Sequence, residues 1–353
     1  MRGGPVPGRA VRAPPLQRPA SGLPGQLPAE IEGKLLCEIP ELSDITPLPQ
    51  LETETPVVKI LHSDSFDDAL SYFRAIVQSG EVSMRALLIT SYAAIVCPSH
   101  YSVWQYRRKL LAQLKVDPHR EIEFVQAILL DNWKNYQLWY HRQQLVASIG
   151  GRSDERDITD SCFEHDAKNY HAWSHRQWFL RTYPPPSWLV EERAYCDRLL
   201  SEDVRNNSAW NQRMFVLLHT PRDHPEEFGQ ILTAELNYTL EKLNAAPSNE
   251  SGWNYLRGLY TKFPGPWDAG FFATISASCD ALLLRESQSP HLNAFMFHFY
   301  RDWAARQGDV SIMAPSVTIA KLLRDEIDTI RAKYWDMMHE RVVAALAAAA
   351  TTA

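Results

Sequence analysis

The stretch Asp166-Ala-Lys-Asn-Tyr-His-Ala-Trp-Ser-His-Arg-Gln-Trp178 decides the fold, because its central pattern recurs along the chain. Five of the eleven tryptophans align when the residues before them are compared. The aligned segments are His100-Tyr-Ser-Val-Trp104, Asn135-Tyr-Gln-Leu-Trp139, Asn169-Tyr-His-Ala-Trp173, Asn206-Asn-Ser-Ala-Trp210 and Asn249-Glu-Ser-Gly-Trp253. Their tryptophans are 35, 34, 37 and 43 residues apart. This period is typical of two-helix repeats that stack into a solenoid.

Each unit also carries the local signals of a helix. Four units begin with asparagine, a favoured N-cap whose side-chain oxygen accepts a backbone N–H of the first turn. In four units an arginine follows the tryptophan by three residues, so it lies on the same helix face and can stack on the indole or bridge to the neighbouring repeat. These arginines are Arg107, Arg142, Arg176 and Arg213. Leu256 takes this position in the fifth unit, with Arg257 adjacent.

The sequence therefore predicts an all-α fold, an α-α superhelix of about seven helical hairpins. Phe66 to Gln78 and Met84 to Val96 read as a hairpin upstream of the tryptophan units, and Val317 to Ala345 as a helical segment that closes the array. His291-Leu-Asn-Ala-Phe295 looks like a degenerate unit with Phe295 in the tryptophan position. The one possible extended piece is Val57 to Leu61.

Four segments follow from this pattern. We predict a disordered tail rich in Pro and Arg over residues 1–40, an extended lead-in over 41–65, the helical-hairpin repeat domain over 66–343, and an Ala-rich tail over 344–353, which could also be a fraying helix end. Residues 1–28 contain four arginines and no acid, as in a mitochondrial transit peptide. Their seven prolines would break the amphipathic helix of such a signal, which favours a disordered tail.

Composition excludes several classes of function. The net charge of -6 and the pI near 6.1 argue against a general nucleic-acid binder, which needs surplus Lys and Arg. Five cysteines without a CxxC pair fit neither a disulfide framework nor a thiolate metal site and favour a reducing, cytoplasmic setting. No stretch approaches the roughly 20 apolar residues of a membrane span.

The repeated aromatic and basic residues identify an architecture rather than a reaction. We interpret Trp104, Trp139, Trp173, Trp210 and Trp253 as repeat-packing residues, since each hairpin must bury one face against its neighbours. The chain contains no HExxH motif, no Gly-rich phosphate loop and no cluster with metal-ligand spacing. Taken alone, these residues describe a helical-repeat protein without a complete catalytic site.

Two units carry polar groups that packing does not require. Lys134 precedes one cap and is followed by Tyr136 and Gln137, while Asn169 and His171 begin the next unit. Side chains at the starts of adjacent stacked helices would share one edge, where N–H groups and positive dipole ends favour an anion. The alternatives are a solvated lysine in a turn and a histidine satisfied by packing.

The same blocks resemble a known family. Lys134 to Arg142, Asp166 to Trp178, Glu202 to Arg213 and Asn249 to Leu256 are similar to the α subunit shared by protein farnesyltransferase and type I geranylgeranyltransferase. Asp44 to Gln50 and Val57 to Asp64 look like that family's lead-in, so the resemblance covers about residues 41–340. It implies a crescent of helical hairpins around an α/α-barrel β subunit that holds Zn²⁺ and most of the substrate cavity.

The resemblance also implies residue roles. Lys134 would contact the isoprenoid diphosphate and stabilise charge on the leaving group, with Tyr136 in support, so these two residues are the expected catalytic contribution. Gln137 would bind the substrate peptide's C-terminal carboxylate, and Asn169 and His171 would line the same cleft. The implied reaction transfers a farnesyl or geranylgeranyl group to the cysteine of a C-terminal CaaX sequence, as in small GTPases, with Mg²⁺ assisting in the farnesyl enzyme. No metal ligand is expected in this chain.

Two other interpretations were weighed. A Rab geranylgeranyltransferase α subunit is disfavoured because the lead-in and the Asp166 to Trp178 block look closer to the CaaX enzymes, and because no leucine-rich region is present. A non-enzymatic helical-repeat scaffold would bind partners through its concave face. The presence of Lys134, Tyr136, Gln137, Asn169 and His171 argues against that scaffold.

Overall fold

In the described part of the chain, all regular secondary structure is helical. The computed structural model describes residues 33–51, 57–58, 60–263, 265 and 267–352. Within these ranges there are fifteen α-helices and no β-strand. They are α1 (Asp64–Ser79), α2 (Met84–Val96), α3 (Tyr101–Leu114), α4 (Pro118–Leu129), α5 (Tyr136–Ser148), α6 (Glu155–His165), α7 (Tyr170–Thr182), α8 (Trp188–Glu202), α9 (Asn207–His219), α10 (Pro225–Ala245), α11 (Glu250–Lys262), α12 (Ala269–Glu286), α13 (Pro290–Gln307), α14 (Pro315–Leu322) and α15 (Ala332–Thr352).

Consecutive helices pair as hairpins. The chain divides into two compact units, Met1–Pro185 and Pro186–Ala353. In the first unit α2 packs against α3, α4 against α5, and α6 against α7, with α1 beside α2. In the second unit the pairs are α8/α9, α10/α11, α12/α13 and α14/α15. The described residues thus contain seven hairpins after α1, and the predicted all-α class of stacked hairpins is confirmed.

Asparagine begins the second helix of four hairpins, as predicted. The Asn135, Asn169 and Asn206 side chains each accept two backbone N–H groups of the following turn. Asn249 is also an N-cap residue, but its side chain makes no capping bond. Its Nδ2 instead donates to the Val204 carbonyl at 2.7 Å, which ties the start of α11 to the start of α9.

The five aligned tryptophans lie in the core and share one hydrogen bond. Every indole is buried, and its Nε1 donates to the carbonyl oxygen of the residue six positions earlier. A buried indole N–H needs such a partner, since leaving it unpaired would cost about 1–3 kcal/mol. Each tryptophan therefore fixes the interhelix turn that precedes its own helix.

The repeated arginines bridge neighbouring helices. Arg142 on α5 is fully buried and donates to both carboxylate oxygens of Glu155 on α6, at 3.0 and 2.6 Å. His175 on α7 contacts the same carboxylate at 2.6 Å. Glu155 thus joins one hairpin to the next through a charge-assisted network.

The same arrangement occurs once more in the first unit and once in the second. Glu121 on α4 accepts from Arg107 on α3 and from His141 on α5. Glu235 on α10 accepts from Arg213 on α9 and from the Tyr255 hydroxyl on α11. We call Glu121, Glu155 and Glu235 the bridging glutamates. The tryptophan repeat marks the arginines but not these acids, because the acids lie in the more variable first helices of the hairpins.

The last hairpins replace these contacts with others. Arg257, adjacent to the aberrant Leu256, pairs with Asp302 on α13 at 2.8 Å. The prediction that Phe295 takes the tryptophan position of its unit is wrong: Asn293 lies four residues after the N-cap Ser289, and its Nδ2 donates to the Ser287 carbonyl six residues earlier, as the repeat indoles do. Phe295 lies two positions further on, with its ring centroid 4.8 Å from that of Trp253. The packing of the repeat therefore persists after its sequence pattern has changed.

The chain ends differ from the predicted boundaries. Residues 1–32 and the predicted extended positions 52–56 and 59 lie outside the described residues; Val57 and Val58 form a bend. The tail prediction is wrong for residues 36–40, because Leu36 and Ile39 are buried and the Leu36 N–H donates to Asp68 on α1 at 2.5 Å. The Ala-rich end continues α15 through Thr352.

The closing helix is interrupted, which the sequence analysis did not predict. A π-helical turn at Leu323–Ile327 and a 3-10 turn at Thr329–Arg331 separate α14 from α15. Between them, the Asp328 carboxylate accepts from Arg331 Nε and Trp335 Nε1, each at 2.6 Å. These bonds to side chains further along the chain stabilise the break.

The electrostatics of a bridging glutamate depend on its two donors. Burial alone would raise the pKa of Glu155, but Arg142 and His175 outweigh burial and lower that pKa to about 2. Burial lowers the pKa of His175, although the Glu155 carboxylate acts in the opposite direction. A neutral His175 therefore donates Nε2–H to an ionised Glu155, and protonating the histidine opposes folding.

Replacing His175 with glutamine should reduce the acid sensitivity of the fold. A histidine with a lowered folded pKa contributes stability that is present above about pH 6.5 and is lost as the pH falls below it. Glutamine can keep the bond, as Gln212 donates to Glu192 at 2.7 Å from the same repeat position. We expect His175→Gln to reduce the loss of unfolding free energy between about pH 7 and pH 5 by about 1–2 kcal/mol, measured by urea denaturation.

The matched control is His119→Gln, because His119 is an exposed histidine on α4. This variant should follow the wild-type pH dependence. The prediction fails if His175→Gln loses as much stability on acidification as the wild type does.

Candidate functional site

Two adjacent turns form an open groove in the first unit. One turn connects α4 to α5 and the other connects α6 to α7, so both lead into the tryptophan-bearing helices. Their shared groove is lined by Asp131, Asn132, Trp133, Lys134, Asn135, His165, Asp166 and Asn169. Its walls are polar and its position beside two helix N-termini suits an anionic ligand.

Lys134 spans the groove between the two turns. Its Nζ lies 3.1 Å from Asp166 Oδ2, although 77% of the lysine side chain is exposed. The bond to Lys134 is the largest influence on Asp166 and lowers the pKa of that carboxyl. The ammonium group therefore stays at the rim with a counter-ion and remains accessible to another anion.

Tyr136 and His171 bring the first turns of α5 and α7 together. Their ring centroids are 4.2 Å apart in an edge-to-face arrangement, and 65% of the Tyr136 residue surface is exposed. Burial lowers the pKa of His171, so the imidazole is neutral at pH 7 and can donate one hydrogen bond. Gln137 is partly exposed in the same turn of α5.

Asn169 differs from the other predicted site residues because its side chain is buried. Only 2% of its surface is exposed, and its Oδ1 accepts the N–H groups of His171 and Ala172 at 3.0 and 3.1 Å. Its Nδ2 donates to the Trp133 carbonyl at 3.2 Å, in the turn before α5. Asn169 thus lines the groove while its side chain fixes the start of α7 and the turn before α5.

Two residues of this edge were not singled out from the sequence. Asp166 holds Lys134, and Tyr170 is exposed beside His171 with a ring-centroid separation of 5.6 Å. The repeat alignment contained a signal for both, since Tyr170 occupies the position of Tyr136 and Asp166 precedes its cap asparagine by three residues. Periodicity alone could not indicate that Lys134 of the previous repeat reaches Asp166.

Comparison with known proteins follows the same repeats. The family described as protein prenyltransferase alpha subunit repeat matches residues 84–114, 118–149, 152–183, 189–220 and 232–263, which correspond to the hairpins from α2/α3 to α10/α11. A Solanum lycopersicum protein named protein farnesyltransferase/geranylgeranyltransferase type-1 subunit alpha is 37% identical over 317 residues, covering 85% of this chain and 88% of the relative. The chain belongs to the protein prenyltransferase α subunit family.

Other relatives agree with this assignment. A Dictyostelium discoideum protein of the same name is 36% identical over 314 residues, covering 86% of this chain and 92% of the relative. A solved structure described as Candida albicans protein geranylgeranyltransferase-I complexed with GGPP is 27% identical, with a TM-score of 0.70, and the alignment covers 85% of this chain and 98% of that chain. The family resemblance expected from the tryptophan blocks is confirmed. Across the described residues, no helix of this prenyltransferase α subunit combines the length and apolar character needed to cross a bilayer.

Removing the Asn169 side chain should affect folding stability. Asn169→Ala deletes the cap of α7 and the bond to the Trp133 carbonyl, so we expect the unfolding free energy to fall by about 1–3 kcal/mol. Asn135→Ala deletes the capping bonds of α5 and should cost about 1 kcal/mol. Urea denaturation of both variants measures the difference, and an unchanged stability for Asn169→Ala would contradict the supporting role.

Proposed function

We propose that this chain is the α subunit of a heterodimeric CaaX protein prenyltransferase and contributes part of a shared active site. Membership of the family and the type-1 subunit alpha names of its relatives support this proposal and favour the CaaX enzymes over the Rab enzyme. The observation that carries it is the exposed Lys134 in the turn before α5, next to the first turns of α5 and α7, where Tyr136 and His171 pack against each other. A repeat used only as a scaffold would not need this combination.

Lys134 is the proposed contact to the isoprenoid diphosphate. Bond breaking at the prenyl carbon leaves both bonding electrons on the diphosphate oxygen, so negative charge grows on the leaving group. An ammonium group that strengthens its contact as this charge grows lowers the barrier. Lys134 suits this role because its exposed side chain can turn from Asp166 towards an incoming anion.

The neighbouring side chains have supporting roles in the proposal. Tyr136 can donate its phenolic O–H to the same diphosphate, and Gln137 can donate its amide N–H to the peptide's C-terminal carboxylate. His171 is held against the Tyr136 ring and can orient it. Asn169 acts from beneath the surface by fixing the start of α7 and the turn that carries Lys134.

The metal ions of the reaction are assigned elsewhere. We propose that Zn²⁺ belongs to the β subunit, where it would supply a cysteine thiolate, and that Mg²⁺ would neutralise the diphosphate in the farnesyl enzyme. In the described residues of this chain, no group of three or more His, Cys, Asp or Glu side chains could hold a metal ion. The α subunit would therefore contribute cationic and hydrogen-bonding side chains.

The proposed partners and setting follow from the reaction. They are a farnesyltransferase or geranylgeranyltransferase type I β subunit, farnesyl or geranylgeranyl diphosphate, and CaaX proteins such as small GTPases. The solved relative is described as complexed with GGPP, which supports a prenyl diphosphate as the ligand class. We propose a cytoplasmic location, where newly made CaaX proteins and reduced cysteines are available.

Co-expression tests the subunit assignment. Purified alone, this chain should transfer no prenyl group and retain no stoichiometric Zn²⁺, whereas co-expression with a farnesyltransferase β subunit should yield a stable complex with both properties. The measurements are prenyl transfer to a CaaX peptide and metal content by mass spectrometry. An active homo-oligomer of this chain would refute the assignment.

A Lys134 substitution tests the shared site. Lys134→Ala should leave heterodimer assembly intact and slow the single-turnover transfer rate about ten- to a hundredfold, because a charge-assisted bond of roughly 1.5–3 kcal/mol is lost from the transition state. Lys109→Ala on α3 is the matched control, since Lys109 is also an exposed lysine. An unchanged single-turnover rate would identify Lys134 as an ordinary surface lysine.

A further inference from the structure

Asp166 is held rigidly by the backbone around it. It ends α6, where its N–H donates to the Cys162 carbonyl at 2.9 Å and its own carbonyl accepts the Asn169 N–H at 3.0 Å. Its Oδ1 accepts the Lys168 N–H at 3.0 Å, which leaves Oδ2 directed at the Lys134 ammonium. The carboxylate therefore has a fixed position at the groove.

The lysine in this ion pair is the partner that can move. Lys134 is 77% exposed, compared with 34% for the Asp166 side chain, and it reaches across from the other turn. A flexible four-carbon stem allows the ammonium group to change partners with little cost. An anion that enters the groove would therefore compete with Asp166 for Lys134, while Asp166 stays in place.

We infer that Asp166 is a positioning residue for Lys134. While the prenyl diphosphate is bound in the ground state, the Lys134 ammonium group is shared between Asp166 and the diphosphate. As negative charge grows on the leaving group, the ammonium group shifts from Asp166 to the diphosphate. The inference deepens the proposed function and rests on it. A contact equally strong in the ground state and the transition state improves binding without accelerating the chemical step. Sharing the ammonium with a fixed carboxylate weakens the ground-state contact and increases the gain on reaching the transition state.

The isosteric variant Asp166→Asn separates this role from a structural one. Asparagine keeps an oxygen for the Lys168 N–H but removes the negative charge that holds Lys134. In the heterodimer we expect farnesyl diphosphate to bind about two- to fivefold more tightly and single-turnover transfer to slow by a similar factor, the scale of one exposed ion pair. Loss of a merely structural residue would weaken binding and slow transfer together.

Asp203→Asn is the matched control in the following repeat. Asp203 ends α8 with the same backbone bonds, since its N–H donates to Leu199, its carbonyl accepts the Asn206 N–H, and its Oδ1 accepts the Arg205 N–H at 2.9 Å. We expect this variant to leave both the dissociation constant and the transfer rate unchanged. Circular dichroism and gel filtration of both heterodimers check folding and assembly.

The outcomes distinguish the inference from the function on which it rests. Unchanged or weaker diphosphate binding in Asp166→Asn, or an unchanged transfer rate, would overturn the inference. In the Lys134→Ala background, Asp166→Asn should have no further effect on either quantity, and a full effect there would also overturn it. If Lys134→Ala itself leaves the transfer rate unchanged, the proposed function of Lys134 fails first.

Discussion

The buried contact between a bridging glutamate and its arginine connects one hairpin to the next at three places, two in the first unit and one in the second. Arg142 and Glu155 have no side-chain exposure, so their charges are stable only because each satisfies the other and His175 completes the network. Removing one member would leave an uncompensated buried charge, which typically costs 3–5 kcal/mol. The contact also fixes the spacing between hairpins, because a bidentate pair tolerates little displacement. Within the first unit this spacing brings the starts of α5 and α7 close enough for Tyr136 to touch His171.

A second set of hydrogen bonds holds together the two turns that line the groove. The Trp133 carbonyl accepts both the Trp139 indole N–H and the Asn169 amide, so one backbone oxygen ties the turn before α5 to its own helix and to the next turn. Lys134 follows Trp133 directly, so these bonds fix its backbone, while 77% of its side chain is exposed. The site therefore combines a fixed frame with one adjustable cation.

The fold was largely predictable because repetition multiplies weak signals. A single Asn followed by Trp four residues later says little, but five copies at nearly constant spacing specify helix starts and hairpin length. The bridging glutamates were missed because nothing marks Glu155 among the many acids of the first helices. The helix break at Asp328 was missed because it depends on side-chain bonds to residues further along the chain. For the site, the sequence predicted that Lys134 and His171 lie at the starts of adjacent repeat helices, but the burial of Asn169 and the reach of Lys134 to Asp166 depend on tertiary packing.

At the position two residues after the repeat tryptophan, three different side chains each donate a hydrogen bond to a glutamate carboxylate: His175, Gln212 and Tyr255. They differ in size and in ring chemistry, yet each presents one donor six residues after the N-cap of its helix. A comparison by residue identity counts the three as mismatches, although each makes the same kind of hydrogen bond at the same repeat position. Distant members of such a family are therefore better sought by asking whether the residue at each repeat position can donate a hydrogen bond than by asking whether it is the same amino acid.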